Sequence, residues 1–279
     1  MSWEKREILL VVKTYPAKSK KHGDIVCTAG ILEDTNEWIR IYPINWQMFQ
    51  KKELNKYIRI KADILKDKSD YQNRKESYKI RQSSIEIIDD SLVHTKNKGV
   101  WNERRKIMEN CLDESVESLH EQFTTDKTSL GMIKPKINNL KFHTIKPFQE
   151  IEIKVGESTQ MTLDNEVLKQ ADEIEKAFKY KFKCNGLNCL GHNMICEDWE
   201  MLEAFRKYTN KYDPGEAEEK FRYKFYDEMI LKRDLYFILG MHWQFPVFMI
   251  IGLFYPPKKK EQHQKSINLM DFIYNNKNF

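Results

Sequence analysis

The apolar segment LYFILG (residues 235–240) is followed, after a turn at residues 244–246, by VFMIIGLF (residues 247–254). Both segments are rich in aromatic and β-branched residues and are short enough to be buried strands. Two such segments joined by a short turn predict a β-hairpin. Because neither segment alternates between apolar and polar residues, we expect the hairpin to be buried near the centre of a sheet.

The N-terminal third contains a series of further predicted strands. Residues 8–12 form a short branched apolar run, and residues 25–31 and 38–42 flank a polar turn. In residues 57–65, isoleucine or alanine at every second position should face inward, with charged residues between them facing out. Shorter strands are expected at residues 77–81 and 84–88. These segments predict a mostly antiparallel sheet or a partial barrel.

The middle of the chain is predicted to be more helical. Apolar residues recur at helical spacing, with charges between them, in residues 101–123, 163–180 and 216–233. The other elements expected here are a connector at residues 130–135 and strands at residues 141–145 and 150–155.

The predicted fold class is therefore α+β. It combines an N-terminal mostly antiparallel sheet or partial barrel with a C-terminal helical part that carries the buried hairpin and a metal-binding loop. We expect a β-rich domain over residues 1–150 and a helical domain over residues 151–279, with a single domain as the alternative.

Four potential metal ligands fall within thirteen residues: Cys184, Cys189, His192 and Cys196. Thiolates and imidazoles at this density are typical of a tetrahedral zinc site. The residues at 185–188 tolerate the tight turn that such a loop needs, and Gly191 gives the backbone before His192 additional freedom. The loop is therefore predicted to bind a metal.

The fourth ligand and the metal remain open at this point. If Cys196 already lies on the following helix and points elsewhere, Cys27 would replace it, provided that the loop packs against the N-terminal sheet. Zn²⁺ is predicted, with an iron–sulfur cluster as the alternative, because a cluster can take a histidine in place of one thiolate. Four protein ligands would make the metal structural, and a water in one position could make it catalytic.

Two acidic residues follow the metal loop closely. Asp198 and Glu200 could act as a general acid or base, or orient His192 by a hydrogen bond. They are also typical of a helix start, since aspartate favours the N-cap and acidic residues favour the first turn. The helix-start interpretation is favoured, and the catalytic one is kept as a hypothesis.

The candidate nucleic-acid-binding residues are Lys18, Lys20, Lys21, Arg40, Tyr42 and Trp46. The three lysines lie in a basic loop that could contact phosphate. The other three would bring a guanidinium close to aromatic rings, where a base could stack. A solvated basic loop and a sheet face covered by a helix are the more ordinary interpretations.

Composition and motifs restrict the function further. The formal net charge of +5, from 47 basic and 42 acidic residues, permits a nucleic-acid partner without requiring one. Five cysteines, three of them in one loop, indicate thiols in a reducing compartment rather than a disulfide framework. We expect a cytoplasmic protein without a membrane span or secretion signal. The sequence lacks the motifs of P-loop NTPases, Rossmann dehydrogenases, α/β-hydrolases and HExxH zinc proteases.

Three pairs of motifs carry a family resemblance. They are KTYP (residues 13–16) with VCTAGI (26–31), CxxxxCxGH (184–192) with DWE (198–200), and IGLF (251–254) with YPP (255–257). Over most of its length the chain resembles an uncharacterised bacterial protein family, a resemblance that implies no established activity. In that family's pattern the position of Cys196 does not stand out, which favours Cys27 as the alternative ligand. The rhythm of the N-terminal strands is also similar to that of small β-barrels of the PUA and ASCH type, which implies RNA or modified bases as ligands.

Three functions are therefore considered. The first is a nucleic-acid-associated binding protein, with DNA or RNA as partner and a structural zinc site. The second is a metalloenzyme with zinc or an iron–sulfur cluster that acts on a nucleotide or nucleobase. The third is a subunit that binds a protein partner through its C-terminal tail.

Overall fold

The computed structural model describes residues 2–15, 17–19, 23–51, 54–145, 174, 176–242 and 244–259. The strands form two sheets. The first sheet contains β1 (Glu4–Lys13), β2 (Ala17–Ser19), β3 (Gly23–Leu32), β4 (Trp38–Asn45), β5 (Arg59–Lys66), β6 (Ser77–Ile80) and β7 (Glu86–Asp89). The second sheet contains β8 (Leu130–Ile133), β9 (Lys141–Ile145), β10 (Ala177–Phe182), β11 (His192–Cys196), β12 (Tyr236–Met241) and β13 (Phe248–Phe254).

The helices lie between and after these strands. They are α1 (Trp46–Lys51), α2 (Val100–Glu109), α3 (Val116–Asp126), α4 (Trp199–Thr209), α5 (Pro214–Arg222) and α6 (Glu228–Lys232). A π-helical turn (Tyr223–Asp227) joins α5 to α6, so that the predicted helix over residues 216–233 is one nearly continuous element.

The first sheet closes on itself. Its strands follow the order β1-β3-β4-β6-β5, and β5 pairs with β1 to complete a five-stranded barrel. The pairs are antiparallel except for β4 with β6. The short strands β2 and β7 add to β3 and β5. The predicted N-terminal antiparallel sheet or partial barrel is confirmed.

The alternation in β5 explains how the barrel is filled. Ile60, Ala62 and Ile64 are at most 1% exposed and pack in one apolar cluster with residues of β1, β3 and β4. Each isoleucine buried in this way stabilises the fold by roughly 1.5–3 kcal/mol. The charged residues between them face away from the cluster, as the period of two requires.

The predicted hairpin lies at the centre of the second sheet. The strand order is β8-β12-β13-β11-β10-β9, with β12 antiparallel to β13 and β11 parallel to β13. Both strands of the hairpin are therefore flanked by further strands, and all six residues of β12 are buried. The prediction from two uninterrupted apolar segments is confirmed.

The helix predicted over residues 101–123 is in fact two helices, α2 and α3. The hydroxyl of Ser115 accepts a hydrogen bond from the N–H of Ser118, whose own hydroxyl accepts one from the N–H of Ser115. This capping box makes Ser115 a helix start. Residues 110–114 consequently turn the chain between the two helices.

Two further expectations for the middle of the chain are corrected. Residues 130–135, expected to be a connector, contain β8, because all four of its residues are buried where it pairs with β12. The helix predicted over residues 163–180 does not extend to its end, because β10 begins at Ala177 and buries every second residue. Residues 163–173 and the strand expected at residues 150–155 lie outside the described residues.

The two sheets pack face to face. Val11 and Ala29 on the outside of the barrel share one apolar cluster with Met132, Ile238 and Ile251 of the second sheet. Hydrogen bonds also join the two sheets. The buried carboxylate of Glu76 accepts from the N–H groups of Ser129 and Leu130, at the start of β8.

The division of the chain between the sheets does not itself define domains. Strands β8 and β9 precede residue 150 along the chain, but they are the two edge strands of the second sheet. The division into domains at residue 150 stays a prediction. Among the described residues, no helix is both long and apolar enough to cross a membrane.

The close pairing of β1 and β3 gives a test of the barrel. A Cβ atom on Gly30 would lie 2.5 Å from the carbonyl oxygen of Leu9. Because a backbone atom cannot move aside, Gly30→Ala should lower the free energy of unfolding by about 1–3 kcal/mol, measured by urea denaturation. Gly215→Ala in α5 is the control, since a Cβ atom there meets nothing within 4 Å. Equal urea midpoints for the two variants would contradict the close pairing.

Candidate metal centre and interface cleft

Three segments bring the candidate metal ligands together. Glu117 lies in the first turn of α3, Cys184 and Cys189 lie in the loop after β10, and His192 begins β11. The loop can reach His192 because Gly191 has a φ of 106°, a left-handed conformation that glycine adopts without strain. One ligand atom from each of the four residues lies within 4.8 Å of the other three.

The distances fit a single metal ion. The two Sγ atoms are 3.6 Å apart, and His192 Nε2 lies 3.3 Å from Cys184 Sγ and 3.1 Å from Cys189 Sγ. Glu117 contacts Cys184 Sγ at 3.0 Å and His192 Nε2 at 3.3 Å. Zinc bonds of about 2.3 Å to sulfur and about 2.0 Å to nitrogen would separate tetrahedral ligands by roughly 3.3–3.8 Å. The group could therefore hold a metal ion.

The protonation of Cys184 and that of His192 bear on metal binding in different ways. Burial and the hydrogen bond to the Glu117 carboxylate raise the pKa of the Cys184 thiol to about 11. Burial lowers the pKa of His192 and so favours the neutral imidazole that ligates metals. A divalent cation supplies the positive charge that turns a thiol into a thiolate ligand.

The structure corrects the predicted fourth ligand. Cys196 pairs with Phe178 at the far end of β11, roughly 13 Å of strand from His192. Cys27 lies in barrel strand β3, where its N–H donates to the hydroxyl of Thr14. Neither belongs to the group that could hold a metal ion, and the fourth member of that group is Glu117.

Sequence reasoning missed Glu117 because it lies 67 residues from Cys184 along the chain. An acidic residue in the first turn of a helix is ordinary, so only its place in the fold distinguishes it. The loop approaches it closely: a Cβ atom on Gly186 would lie 2.6 Å from a Glu117 oxygen. A larger residue at position 186 would have to displace the Glu117 carboxylate.

Asp198 lies at a buried junction rather than beside the metal. It is the N-cap of α4, where its carboxylate accepts a hydrogen bond from the N–H of Met201. Its Oδ2 atom also accepts from Leu253 N at 2.9 Å and from Lys56 Nζ at 2.8 Å. Both side chains of this ion pair are at most 3% exposed. The helix-start interpretation accounts for Asp198.

Glu200 belongs to the same junction but faces an open cleft. Its carboxylate accepts hydrogen bonds from Lys56 Nζ and from the Tyr255 hydroxyl, each at 3.4 Å, while the side chain is 45% exposed. Burial raises its pKa, but the charges of Lys56 and Arg104 and the hydrogen bond from Lys56 outweigh burial, so the pKa lies below its ordinary value. Glu200 is therefore an ionised acceptor on the cleft wall.

This cleft, which we call the interface cleft, lies between the barrel, α2 and α4. Its volume is about 670 Å³. Its walls carry both charged and aromatic side chains, chief among them Lys13, Lys56, Tyr57, Arg104, Trp199 and Glu200. A concave site of this size with a few convergent polar groups is typical of small-ligand binding.

The structure separates the predicted nucleic-acid-binding residues. Arg40 is 8% exposed and donates to the carbonyl of Ser129 in the interface between the sheets. Trp46 begins α1 and packs against Trp199. Both residues are buried: the second sheet covers the Arg40 face of β4, and Trp46 packs in the apolar cluster of the barrel. Tyr42 is 36% exposed. Lys18 falls in β2, and its side chain, like residues 20–21, lies outside what the structure describes.

Comparison with protein families identifies the chain. The model of a domain of unknown function, DUF8757, matches residues 112–272, more than half of the sequence. The chain belongs to this family. A second domain of unknown function, DUF8758, matches residues 4–110, so the two matches meet between α2 and α3. No curated protein matches the chain. The resemblance to an uncharacterised family is confirmed.

The buried junction at Asp198 yields a stability prediction. Asp198→Ala removes a helix cap and the buried partner of the Lys56 ammonium, which keeps only its longer contact to Glu200, so the free energy of unfolding should fall by about 3–5 kcal/mol. Asp213→Ala is the matched control: Asp213 is the exposed N-cap of α5, and its side chain makes no capping hydrogen bond. We expect that variant to change stability by less than about 0.5 kcal/mol. Similar losses in urea denaturation of the two variants would contradict the role of Asp198.

Proposed function

We propose that this protein is a nucleic-acid-associated binding protein in which Glu117, Cys184, Cys189 and His192 hold a structural zinc ion. The observation that carries the proposal is the convergence of these four ligand atoms from three separate segments. The interface cleft, with its cations and aromatic rings, supports the nucleic-acid part of the proposal.

Four protein ligands support a structural metal. A closed set of protein ligands leaves no position for a substrate or water, whereas catalytic zinc sites usually keep one open. The site ties the start of α3 to the turn between β10 and β11, where loops have few apolar contacts of their own. The acids once considered for catalysis lie beyond the opposite end of β11 from His192. This separation favours a structural metal over a catalytic one.

The compactness of the group supports zinc over an iron–sulfur cluster. A single ion holds its ligands within about 4 Å of each other, whereas a cluster places several irons and sulfides between its ligands. The 3.6 Å between the two sulfurs fits a single ion. Two thiolates, an imidazole and a carboxylate are all ordinary zinc ligands.

The distribution of charge supports a polyanionic partner. The cations on the cleft wall are Lys13, Lys56, Arg104, Lys224 and Arg233, against the carboxylate of Glu200. Phosphate groups are the common binding partners of such cations, and aromatic rings beside them can stack with bases. The formal net charge of +5 also favours a negatively charged partner.

The zinc proposal predicts both metal content and stability. The purified protein should contain about one zinc per chain by elemental analysis, and Cys184→Ser should lose that zinc. Since metal-binding energy is folding energy in such a site, the melting temperature should fall by roughly 10 °C.

Cys111→Ser is the matched control for the zinc prediction. Its thiol donates weakly to the carbonyl of Ile107 and lies outside the ligand group, so the zinc content should not change. A wild-type protein without zinc after metal-replete expression would contradict the proposal. So would a Cys184→Ser variant that retains the wild-type zinc content and melting temperature.

The nucleic-acid proposal predicts binding that depends on salt. A fluorescent single-stranded oligonucleotide should bind at low salt, and the logarithm of its affinity should fall with the logarithm of salt by about 0.7 for each phosphate neutralised. Polyglutamate of similar length is the control for charge alone, because it offers no base to stack. Absence of binding at about 50 mM salt, or equal binding of polyglutamate, would contradict the proposal.

A further inference from the structure

We propose that the interface cleft binds a single nucleotide, through the cations of Lys13 and Arg104, the ring of Trp199 and the carboxylate of Glu200. This inference rests on the nucleic-acid association proposed above and names the unit that the cleft would hold. The nucleotide could be free or part of a strand, since both present the same phosphate, sugar and base.

The first argument is that Arg104 faces the cleft as a buried cation without a carboxylate partner. It is 5% exposed, and its Nε and Nη2 atoms donate to the carbonyls of Leu92 and Val93. Among the described residues, no acidic side chain lies within ion-pair distance of its guanidinium. A buried charge without a counter-ion is unfavourable, so an anion that enters the cleft would relieve it.

Lys13 is the second such cation. Its ammonium lies over the rings of Trp199, Phe49 and Trp46, at 4.4, 5.0 and 5.8 Å from their centroids. Within the described part of the chain it makes no ion pair. By contrast, Lys56 in the same cleft is already paired with Asp198. Lys13 and Arg104 therefore remain to bind an anionic group.

The turn that forms the cleft floor is strained. Tyr57 has a φ of 67°, in the left-handed region that residues with a side chain rarely adopt, and its N–H donates to the carbonyl of Leu10. Its hydroxyl is buried and has no hydrogen-bond partner among the described residues. The Arg104 guanidinium lies 3.8 Å above its ring. Strained and unsatisfied groups of this kind cluster at functional sites.

The aromatic wall and the volume indicate the ligand size. Trp199 is stacked on Tyr15 at 5.1 Å and packs against Trp46 at 4.6 Å, so its ring is held rigidly. Trp101 lines the same cleft. A volume of about 670 Å³ falls in the range of small-ligand sites and admits one nucleotide rather than several.

Glu200 distinguishes a nucleotide from a simple anion. An ionised carboxylate repels phosphate, but it accepts hydrogen bonds from the amino group of a base or from ribose hydroxyls. Its partners Lys56 and Tyr255 hold it at the cleft wall. The unpaired cations would bind the phosphate, the fixed Trp199 ring would contact the base, and Glu200 would accept a hydrogen bond from the base or the ribose.

The experiment is a titration of the metal-loaded 279-residue chain with AMP, GMP, CMP and UMP, in which binding is measured by calorimetry and by tryptophan fluorescence. At least one nucleotide should bind, and Lys13→Met should weaken its binding by about 10- to 100-fold, as expected for loss of a charged contact. Methionine keeps the apolar packing of the lysine stem. Lys5→Met on the same strand is the control, because Lys5 is exposed and pairs with Glu86.

A pH series gives a readout that a merely structural role for Lys13 would not change. The pKa of Lys13 is lowered to about 8, mainly by burial and also by the charge of Lys56. The charges of Glu200 and Glu203 on α4 raise it and only partly offset this effect. The phosphate keeps its charge above pH 7. Nucleotide affinity should therefore fall as the pH rises through about 8 and above, and this fall should disappear in Lys13→Met.

A competition experiment identifies the source of the nucleotide. If the mononucleotide displaces a bound oligonucleotide, the unit in the cleft belongs to a strand; if both bind together, the ligand is a free nucleotide.

The proposal is wrong if none of the four nucleotides binds at millimolar concentration, if inorganic phosphate binds as tightly, or if Lys13→Met binds like Lys5→Met. Oligonucleotide binding that persists in such a case would leave the proposed function intact and locate its surface elsewhere.

Discussion

The buried ion pair between Lys56 and Asp198 is the interaction on which the arrangement of the two sheets depends. Lys56 comes from the turn before barrel strand β5, and the carboxylate also accepts from the N–H groups of Met201 in α4 and Leu253 in β13. One side chain thus joins the barrel, a helix and the central hairpin. Two charges removed from water are stable here only because hydrogen bonds satisfy them on several sides.

The same pair determines the character of the cleft. Asp198 neutralises Lys56, whose ammonium also contacts Glu200 on the cleft wall. Lys13 and Arg104 make no ion pair within the described residues, which is why we propose them as the cations that bind the ligand. The group that could hold a metal ion lies in a different region, at the corner of α3, β10 and β11. The candidate metal group is therefore separate from the cleft that we propose binds a nucleotide, whereas Lys56 lines that cleft.

Much of this architecture follows from local sequence patterns. The uninterrupted apolar segments predicted the central hairpin, the alternation in residues 57–65 predicted a barrel strand, and the density of thiols and imidazole predicted three members of the ligand group. These features depend on neighbours in the sequence, which a pattern can report. Glu117 and the partner of Asp198 depend on residues far along the chain; Lys56 lies 142 positions before Asp198.

The placement of Arg40 shows a second limit. Ile39 and Ile41 pack inside the barrel, so Arg40 between them lies on the outer face of β4, but the sequence pattern could not say that the second sheet covers that face. From the sequence, a basic residue beside aromatic residues could form a binding surface, while a face covered by a helix was the more ordinary interpretation; the structure covers that face with the second sheet. Two of the cations that face the cleft, Lys13 and Arg104, lie in a strand and in a helix, and the sequence pattern selected neither of them as a binding residue.

A double-mutant cycle on Lys56 and Asp198 tests the central claim most directly. The free energies of unfolding of Lys56→Met, Asp198→Asn and the double variant would be compared with that of the unaltered protein. We expect each single change to be strongly destabilising and the double variant to be less so than their sum, with a coupling of about 2 kcal/mol or more. The exposed pair Lys106–Glu103 should show a coupling below about 0.5 kcal/mol. Additive effects at Lys56 and Asp198 would contradict the account.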